Sequence, residues 1–267
     1  MSRTVVVHPD AGTLAHATAA RLLVHLIDAQ STHRPLHVAL TGGTVGIRTL
    51  AEIAGSPLRD AVDWTGVHLW WGDERFLPTG DAERNETQAR DALLHVLDIP
   101  AANVHAMAGP DTADSPEASA EAYAAELARF ALPDAPGELP PGADDATVPG
   151  PVPSDDAGPA VPTFDVVLLG MGPDGHVASL FPGHEALDVA DRTVVGVHGS
   201  PKPPPERVSL TFAALEAAQE IWLVVAGADK AEAVARALSA DDVHRTPASG
   251  AVGRSRTLWL LDAAAAG

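Results

Sequence analysis

No cysteine occurs in the 267-residue chain, which excludes disulfides, thiol nucleophiles and every Cys-based zinc or iron–sulfur site. Nucleophilic chemistry must therefore use water, hydroxyls, carboxylates, Lys or His. Cations are also scarce: 17 Lys and Arg against 36 Asp and Glu give a formal net charge of −19. Cations spread this thinly do not form the clustered phosphate contacts of a general nucleic-acid binder, although a local group of them can still mark an anion site. No apolar run approaches the roughly 20 residues of a membrane span. HExxH and EF-hand patterns are missing and the His residues lack ligand spacing, so neither a metal nor a cofactor is expected. Met1 to His8 enters a short strand without the apolar region and cleavage site of a signal peptide, which makes the cytoplasm the expected location.

A hydrophobic fraction of 46% excludes wholesale disorder. Strand and helix signals alternate, the pattern of a sheet with helices packed on its faces, read here as one domain over residues 1–267. Strands are predicted at Val5–His8, His37–Leu40, Val67–Trp71, Phe164–Gly170, Thr193–Val197, Ile221–Ala226 and Leu258–Leu261. Helices are predicted around Leu14 to Ile27, Ile47 to Ile53, Asn85 to Leu97, Pro116 to Phe130 and Asp229 to Leu238, with Asp10 and Ser115 as N-caps. Residues 133–162 break the pattern: many prolines, several acids, no Lys or Arg and few large apolar side chains predict a disordered, solvated acidic insertion.

The most informative segment runs from Phe164 to Pro182, where an apolar strand ends in glycines that deliver Asp174 and His176 together. In open parallel sheets the ligand crevice lies just beyond the carboxyl ends of such strands. Gly170 to Gly175 formally matches the G-x-G-x-x-G of dinucleotide-binding turns, but Pro182 and Gly183 leave room for only a short helix where such a turn should open one. An imidazole titrating near 6.5 makes His176 a general-base candidate, with His184 its nearest rival. Asp174 could orient that ring, contact sugar hydroxyls or simply form a turn before Gly175.

Three other segments carry polar groups to strand ends. Leu40 to Gly46 (LTGGTVG) joins a strand to a helix, where backbone N–H groups of Thr41, Gly42, Gly43 and Thr44 can converge on a phosphate or form an ordinary Gly-rich turn. No Lys follows as in a nucleotide P-loop, which favours a small phosphate ester over ATP. Trp70 to Arg75 places Asp73 and Arg75 toward the same crevice, where a guanidinium could bind phosphate or a developing oxyanion. Glu74 is read as a salt-bridge partner and Asn85 as a loop-holding residue. Lys202 and Arg207 flank a Pro-rich bend before a further strand, and Lys230 stands at a helix start.

Gly170 to Gly183 (GMGPDGHVASLFPG) resembles the signature loop of the 6-phosphogluconolactonases, within the larger glucosamine-6-phosphate deaminase-like group. LTGGTVG, WWGDERFLPTGDAERN (Trp70 to Asn85) and PPERVSLT (Pro204 to Thr211) are similar to that family in the same order, so nearly the whole chain is covered apart from the insertion. The resemblance implies an α/β fold, a three-layer αβα Rossmann-like open, mostly parallel sheet of the deaminase/lactonase type. It implies hydrolysis of 6-phospho-D-glucono-1,5-lactone to 6-phospho-D-gluconate in the oxidative pentose phosphate pathway, without a cofactor. Catalysis would fall to His176, Asp174 and Arg75, and binding to Thr41, Gly42, Gly43, Thr44, Asp73, Arg207 and Lys230. The partner would be the small sugar-phosphate lactone, with no nucleic acid or membrane, acting on a monomer or small homo-oligomer. A glucosamine-6-phosphate deaminase would continue the histidine loop with an Asn-Glu-Pro segment, where this chain has Val177 to Pro182. A non-catalytic sugar-phosphate sensor would need a DNA-binding element, and the sequence has no basic helix–turn–helix segment.

Overall fold

Four apolar residues in succession, Val166 to Leu169, can all be buried only if both faces of their strand are covered. The computed structural model, which describes residues 2–131 and 160–267, covers both. In chain order the elements are β1 (Ser2–His8), α1 (Ala11–Gln30), β2 (Leu36–Leu40), α2 (Thr44–Gly55), β3 (Val67–Trp71), β4 (Asp73–Arg75), α3 (Asn85–Ala92), α4 (Pro116–Arg129), β5 (Val166–Leu169), β6 (Val194–Val197), β7 (Arg207–Leu210), α5 (Phe212–Leu215), β8 (Glu220–Val225), α6 (Ala231–Leu238), β9 (Arg256–Asp262) and α7 (Ala263–Ala266), joined in places by 3-10 turns. Six strands form one parallel sheet in the order β1-β9-β8-β5-β2-β3.

Strand alternation divides the core between the two faces. Val166 and Leu168 of β5 join Val38, Leu69 and Trp222 under Leu14, Leu22 and Leu26 of α1 and Leu50 and Ile53 of α2. Val167 and Leu169 face the other way, with Trp70, Leu223 and Trp259, against Tyr123 and Leu127 of α4 and Val234 of α6. The expected three-layer α/β arrangement is therefore observed. Asp10 caps α1 by accepting from Thr13 N at 2.8 Å, and Ser115 caps α4 by accepting from Ala118 N at 3.2 Å, as read from the sequence.

The strand at Val194–Val197 does not join the large sheet. It pairs antiparallel with β7, which pairs antiparallel with β4, so a three-stranded sheet β4-β7-β6 stands on the α4 and α6 side. β4 is too short and too charged to read as a strand, yet it carries the chain from β3 into this second sheet one residue after Trp71. α3 ends at Ala92, earlier than the expected Leu97, and the chain continues into a 3-10 turn at Leu94–Val96. Of the segment expected to be a solvated insertion, 133–159 lies outside the described residues, and Val161 and Pro162 at its end are buried.

The amino-terminal ends of β2 and β3 hold a layer of histidines. Trp70 Nε1 donates to His37 Nδ1 at 3.1 Å, so that imidazole must carry its proton on Nε2. His105 Nδ1 donates to Glu126 at 3.0 Å, leaving Nε2 to accept from His68 Nδ1 at 2.9 Å. The ring of His105 stacks on Trp70 with 3.8 Å between centroids. Burial, reinforced by the neighbouring imidazoles, holds His37 down at about 3, and burial with His68 beside it holds His105 down at about 4. An unfolded chain takes up these protons below about pH 6.5 while the native state refuses them. Stability contributed by the neutral rings is therefore complete above that pH and is lost as pH falls toward 4. Urea unfolding of the parent and of His37→Gln, which keeps an acceptor for Trp70, should show a shallower fall in stability between pH 6 and 4.5 for the variant, by up to about 1.4 kcal/mol per pH unit. Equal slopes would contradict this role for His37.

Candidate active site

The order of the large sheet reverses at β2: the next strand in sequence, β3, lies on one side and β5 on the other. Ligands bind at such switch points, beyond the carboxyl ends of the strands. A cleft of about 610 Å³ opens there, lined by segments that follow β2, β3, β5, β8 and β9. Thr41, Gly42, Gly43, Thr44, Asp73, Arg75, His176, Arg207 and Lys230 all line it, so residues far apart in sequence meet as expected. Asp174 stands directly behind His176. Five cations, Arg48, Arg75, Lys202, Arg207 and Lys230, face the cleft against the carboxylates of Asp73, Asp229 and Asp262. In a chain of net charge −19 this is a local reversal of sign suited to an anion, and both lysines of the sequence take part in it. A hollow of about 680 Å³ between α4 and β6 matches an anion poorly, since Glu117, Glu121 and Asp191 outnumber Arg192 there.

β5 stops at Leu169 because Gly170, Gly172 and Pro173 cannot extend a central strand well. Residues 171–184 then form turns without a helix, unlike a dinucleotide-binding turn. His176 Nδ1 lies 2.5 Å from Asp174 Oδ1. An ionised carboxylate only accepts, so Nδ1 carries a proton, and in the neutral ring the lone pair lies on Nε2. Burial works against ionisation of Asp174, but the hydrogen bond and charge of His176, with Lys202 nearby, outweigh it and bring the carboxyl to about 2. Lys202 Nζ stands 3.4 Å from His176 Nδ1 and 3.8 Å from Asp174 Oδ1. With the Nδ1 proton committed to Asp174, this ammonium acts on the pair as a charge. Phe181 packs against the imidazole with 4.5 Å between ring centroids.

His184, the alternative base, is committed elsewhere. Its Nδ1 accepts from Ala186 N at 3.1 Å and its Nε2 donates to His198 O at 2.9 Å, and it does not line the cleft. Arg207 is only 5% exposed, and it donates to the carbonyls of Pro204, Lys202 and Pro203 at 3.1–3.2 Å. It thereby folds the bend that presents Lys202, and Nη1 is left 3.9 Å from Asp73 Oδ2. Asp73 in turn accepts from the buried Ser179 hydroxyl at 2.6 Å, tying the β4 wall to the histidine loop. Ser179 reaches it because Ala178, at φ 50°, turns the chain sharply between Val177 and Leu180.

On the β4 wall, Arg75 Nη1 donates to Asn85 Oδ1 at 2.6 Å and to Glu83 O at 2.7 Å. Asn85 Nδ2 donates to Asp73 O at 2.8 Å. A β-carbon on Gly42 would lie 1.9 Å from Asn85 Oδ1, so glycine at this position lets the Asn85 amide bridge the β2 loop and the β4 wall. Lys202 and the Ser179–Asp73 bond were not among the site residues read from the sequence. Lys202 was visible only as a cation beside a Pro-rich bend. Among the described residues no group of three or more His, Cys, Asp or Glu is arranged to hold a metal ion, and no helix is long and apolar enough to cross a membrane.

Gly172 has its own steric reason. A β-carbon there would stand 2.1 Å from His176 Cε1 and 2.5 Å from Asp174 Oδ1, on top of the pair itself. Gly172→Ala should therefore displace the imidazole and lower kcat by at least about 10-fold, with a melting temperature close to the parent's because the loop is outside the sheet. Parental kcat in the folded variant would show that the ring does not need this position.

Residues 9–259 match the family described as "Glucosamine-6-phosphate isomerases/6-phosphogluconolactonase". The 6-phosphogluconolactonase of Streptomyces coelicolor is 52% identical over 265 residues, covering 98% of this chain and 93% of that protein. The Mycobacterium leprae 6-phosphogluconolactonase is 42% identical over 100% of this chain and 98% of its own length. The solved 6-phosphogluconolactonase of Trypanosoma brucei superposes with a TM-score of 0.77 at 32% identity, covering 99% of this chain and 98% of that one. A monomeric glucosamine-6-phosphate deaminase, at 19% identity and a TM-score of 0.73 over 100% of this chain and 99% of its own, shares the fold. With nearly full-length identity of this order joined to the loop, cleft and cation set described above, the chain belongs to the 6-phosphogluconolactonase family.

Proposed function

We propose that the protein hydrolyses 6-phospho-D-glucono-1,5-lactone to 6-phospho-D-gluconate, the lactone-opening step of the oxidative pentose phosphate pathway, with His176 as general base. The observation that carries this reading is the Asp174–His176 hydrogen bond, which in the neutral ring puts the proton on Nδ1 and the lone pair on Nε2, in a cleft that also holds five cations. Full-length relatives named as 6-phosphogluconolactonases support the substrate. A cytosolic setting fits a soluble sugar phosphate and a cysteine-free chain.

In this mechanism Nε2 takes a proton from water as the water oxygen attacks the lactone carbonyl carbon. The carbonyl π electrons move to oxygen, and the oxyanion is stabilised by the guanidinium of Arg75. Asp174 holds the ring in the productive tautomer and offsets the positive charge that the imidazolium acquires. Collapse of the tetrahedral intermediate breaks the bond to the ring oxygen, and the Nε2 proton passes to that oxygen as it leaves. The acid product ionises at neutral pH. No cofactor is required for these steps.

The phosphate is assigned to the β2 loop, where the first-turn N–H groups of α2 have no intrahelical acceptors and the helix dipole is positive. Thr41, Gly42, Gly43 and Thr44 supply that cradle, and Lys230 and the remaining donor of Arg207 supply charge. Asp73 would accept from a sugar hydroxyl. A deaminase reading lacks its acid, since the Asn-Glu-Pro continuation is missing and Val177 to Pro182 contain no carboxylate.

The test couples glucose 6-phosphate dehydrogenase, which generates the lactone, to 6-phosphogluconate dehydrogenase, which reads the product, with spontaneous hydrolysis subtracted. His176→Ala should lower kcat by roughly 10²–10⁴-fold while the variant still binds 6-phosphogluconate. Turnover within a few-fold of the parent would remove His176 as the base.

A further inference from the structure

Alternation along β4 sends Asp73 and Arg75 into the cleft and Glu74 to the opposite side. There Glu74 is 1% exposed and its carboxylate accepts from donors in two segments. Oε1 accepts from Arg75 N at 2.9 Å and Asn85 N at 2.7 Å, and Oε2 accepts from Glu86 N at 2.9 Å. Arg84 Nε completes the surroundings at 3.8 Å. Asn85 and Glu86 are the first two residues of α3, whose own cap residue, Arg84, makes no side-chain cap bond. The helix is capped instead by a carboxylate from a strand eleven residues earlier in sequence.

One side chain thus fixes the backbone of Arg75 and of Asn85 together. On the cleft side of that backbone, the same two residues hold each other through the bond from Arg75 Nη1 to Asn85 Oδ1. Arg84 anchors the outside of the loop by donating to Leu77 O at 2.9 Å and Met107 O at 2.6 Å, so its guanidinium does not depend on Glu74 alone. Burial pushes the Glu74 carboxyl up to about 7 against the pull of its N–H donors and of Arg84. A carboxylate kept in such a place does more than balance Arg84, because a single ion pair would not need to collect three backbone donors from both ends of a loop.

We propose that Glu74 is a positioning residue: its buried carboxylate sets the Arg75–Asn85 pair in one register before substrate arrives, so that the guanidinium meets the oxyanion without reorganising. The inference rests on the assignment of Arg75 to the oxyanion made above. Pre-organised donors contribute most in the transition state, so the loss should appear in kcat and not in KM.

The test is a cycle of Glu74→Gln, Arg75→Ala and the double variant, each checked for folding by thermal melting and assayed for kcat and KM. Glu74→Asp is the second probe, keeping the charge but lacking the reach to both ends of the loop. Arg75→Ala should lower kcat by about 10²–10³-fold, the usual worth of an oxyanion donor. Glu74→Gln and Glu74→Asp should each lower kcat at least about 10-fold with KM within about 3-fold of the parent. In the Arg75→Ala background, Glu74→Gln should change kcat by less than about 3-fold, because the residue it positions is gone. If Glu74→Gln keeps its full effect in that background, or if its effect falls on KM alone, the positioning role is overturned while Arg75 stands. Parental kcat in Arg75→Ala would overturn the oxyanion assignment and this inference with it. Should Glu74→Gln not fold, the same cycle with Glu74→Asp separates these outcomes.

Discussion

The 2.5 Å hydrogen bond between Asp174 and His176 Nδ1 is the interaction on which the rest of the site depends. It puts the proton of the neutral ring on Nδ1, fixes the orientation of the imidazole and sets a carboxylate beside it. The surrounding structure can be understood as what that bond requires. A parallel sheet buried on both faces brings β5 to the cleft as an apolar rod, and a glycine loop lets the chain turn off its end. Gly172 leaves the space that the ring occupies, and Phe181 packs against its face. Lys202 adds charge beside the pair, delivered by a bend that Arg207 folds from beneath.

The second sheet explains how groups from distant segments keep fixed distances. β4 leaves the large sheet one residue after Trp71, and its pairing with β7 places Asp73 opposite Ser209 and Arg75 opposite Arg207. Ser179 closes the circuit by donating to Asp73 from the histidine loop, while its own N–H donates to Ser209 Oγ at 3.2 Å. The histidine loop and the strands that carry the cations are thus connected by buried polar bonds, each costly to leave unmade. An anionic ligand approaching an acidic protein finds a cleft in which cations outnumber carboxylates.

Much of this was legible in the sequence for a physical reason: long apolar strands followed by glycines and polar residues carry their meaning locally. The large-sheet strands, the caps at Asp10 and Ser115 and the convergence of Asp174, His176, Asp73 and Arg75 could be read that way. β4 could not, because Asp-Glu-Arg has no apolar letter and becomes a strand only by pairing with β7. Val194–Val197 read correctly as a strand but gave no sign of which sheet it would join. His184 and His176 look alike as letters, and only the backbone bonds to Ala186 and His198 separate them. Glu74 read as the salt-bridge partner in the Glu-Arg pair of its loop, but its ion pair is with Arg84, and its hold on Asn85 and Glu86 spans a loop whose closure no local pattern announces.

The central claim is that His176 enters the reaction as a neutral ring with its proton on Nδ1. Two-bond ¹⁵N–¹H correlation spectra of the ¹⁵N-labelled protein at pH 8, with His176 assigned by comparison with His176→Gln, measure this directly. The account predicts a protonated-type shift at Nδ1 and an unprotonated-type shift at Nε2, a pattern that Asp174→Asn should disturb. A spectrum with the proton on Nε2 would contradict it, since Nε2 could then accept nothing from water.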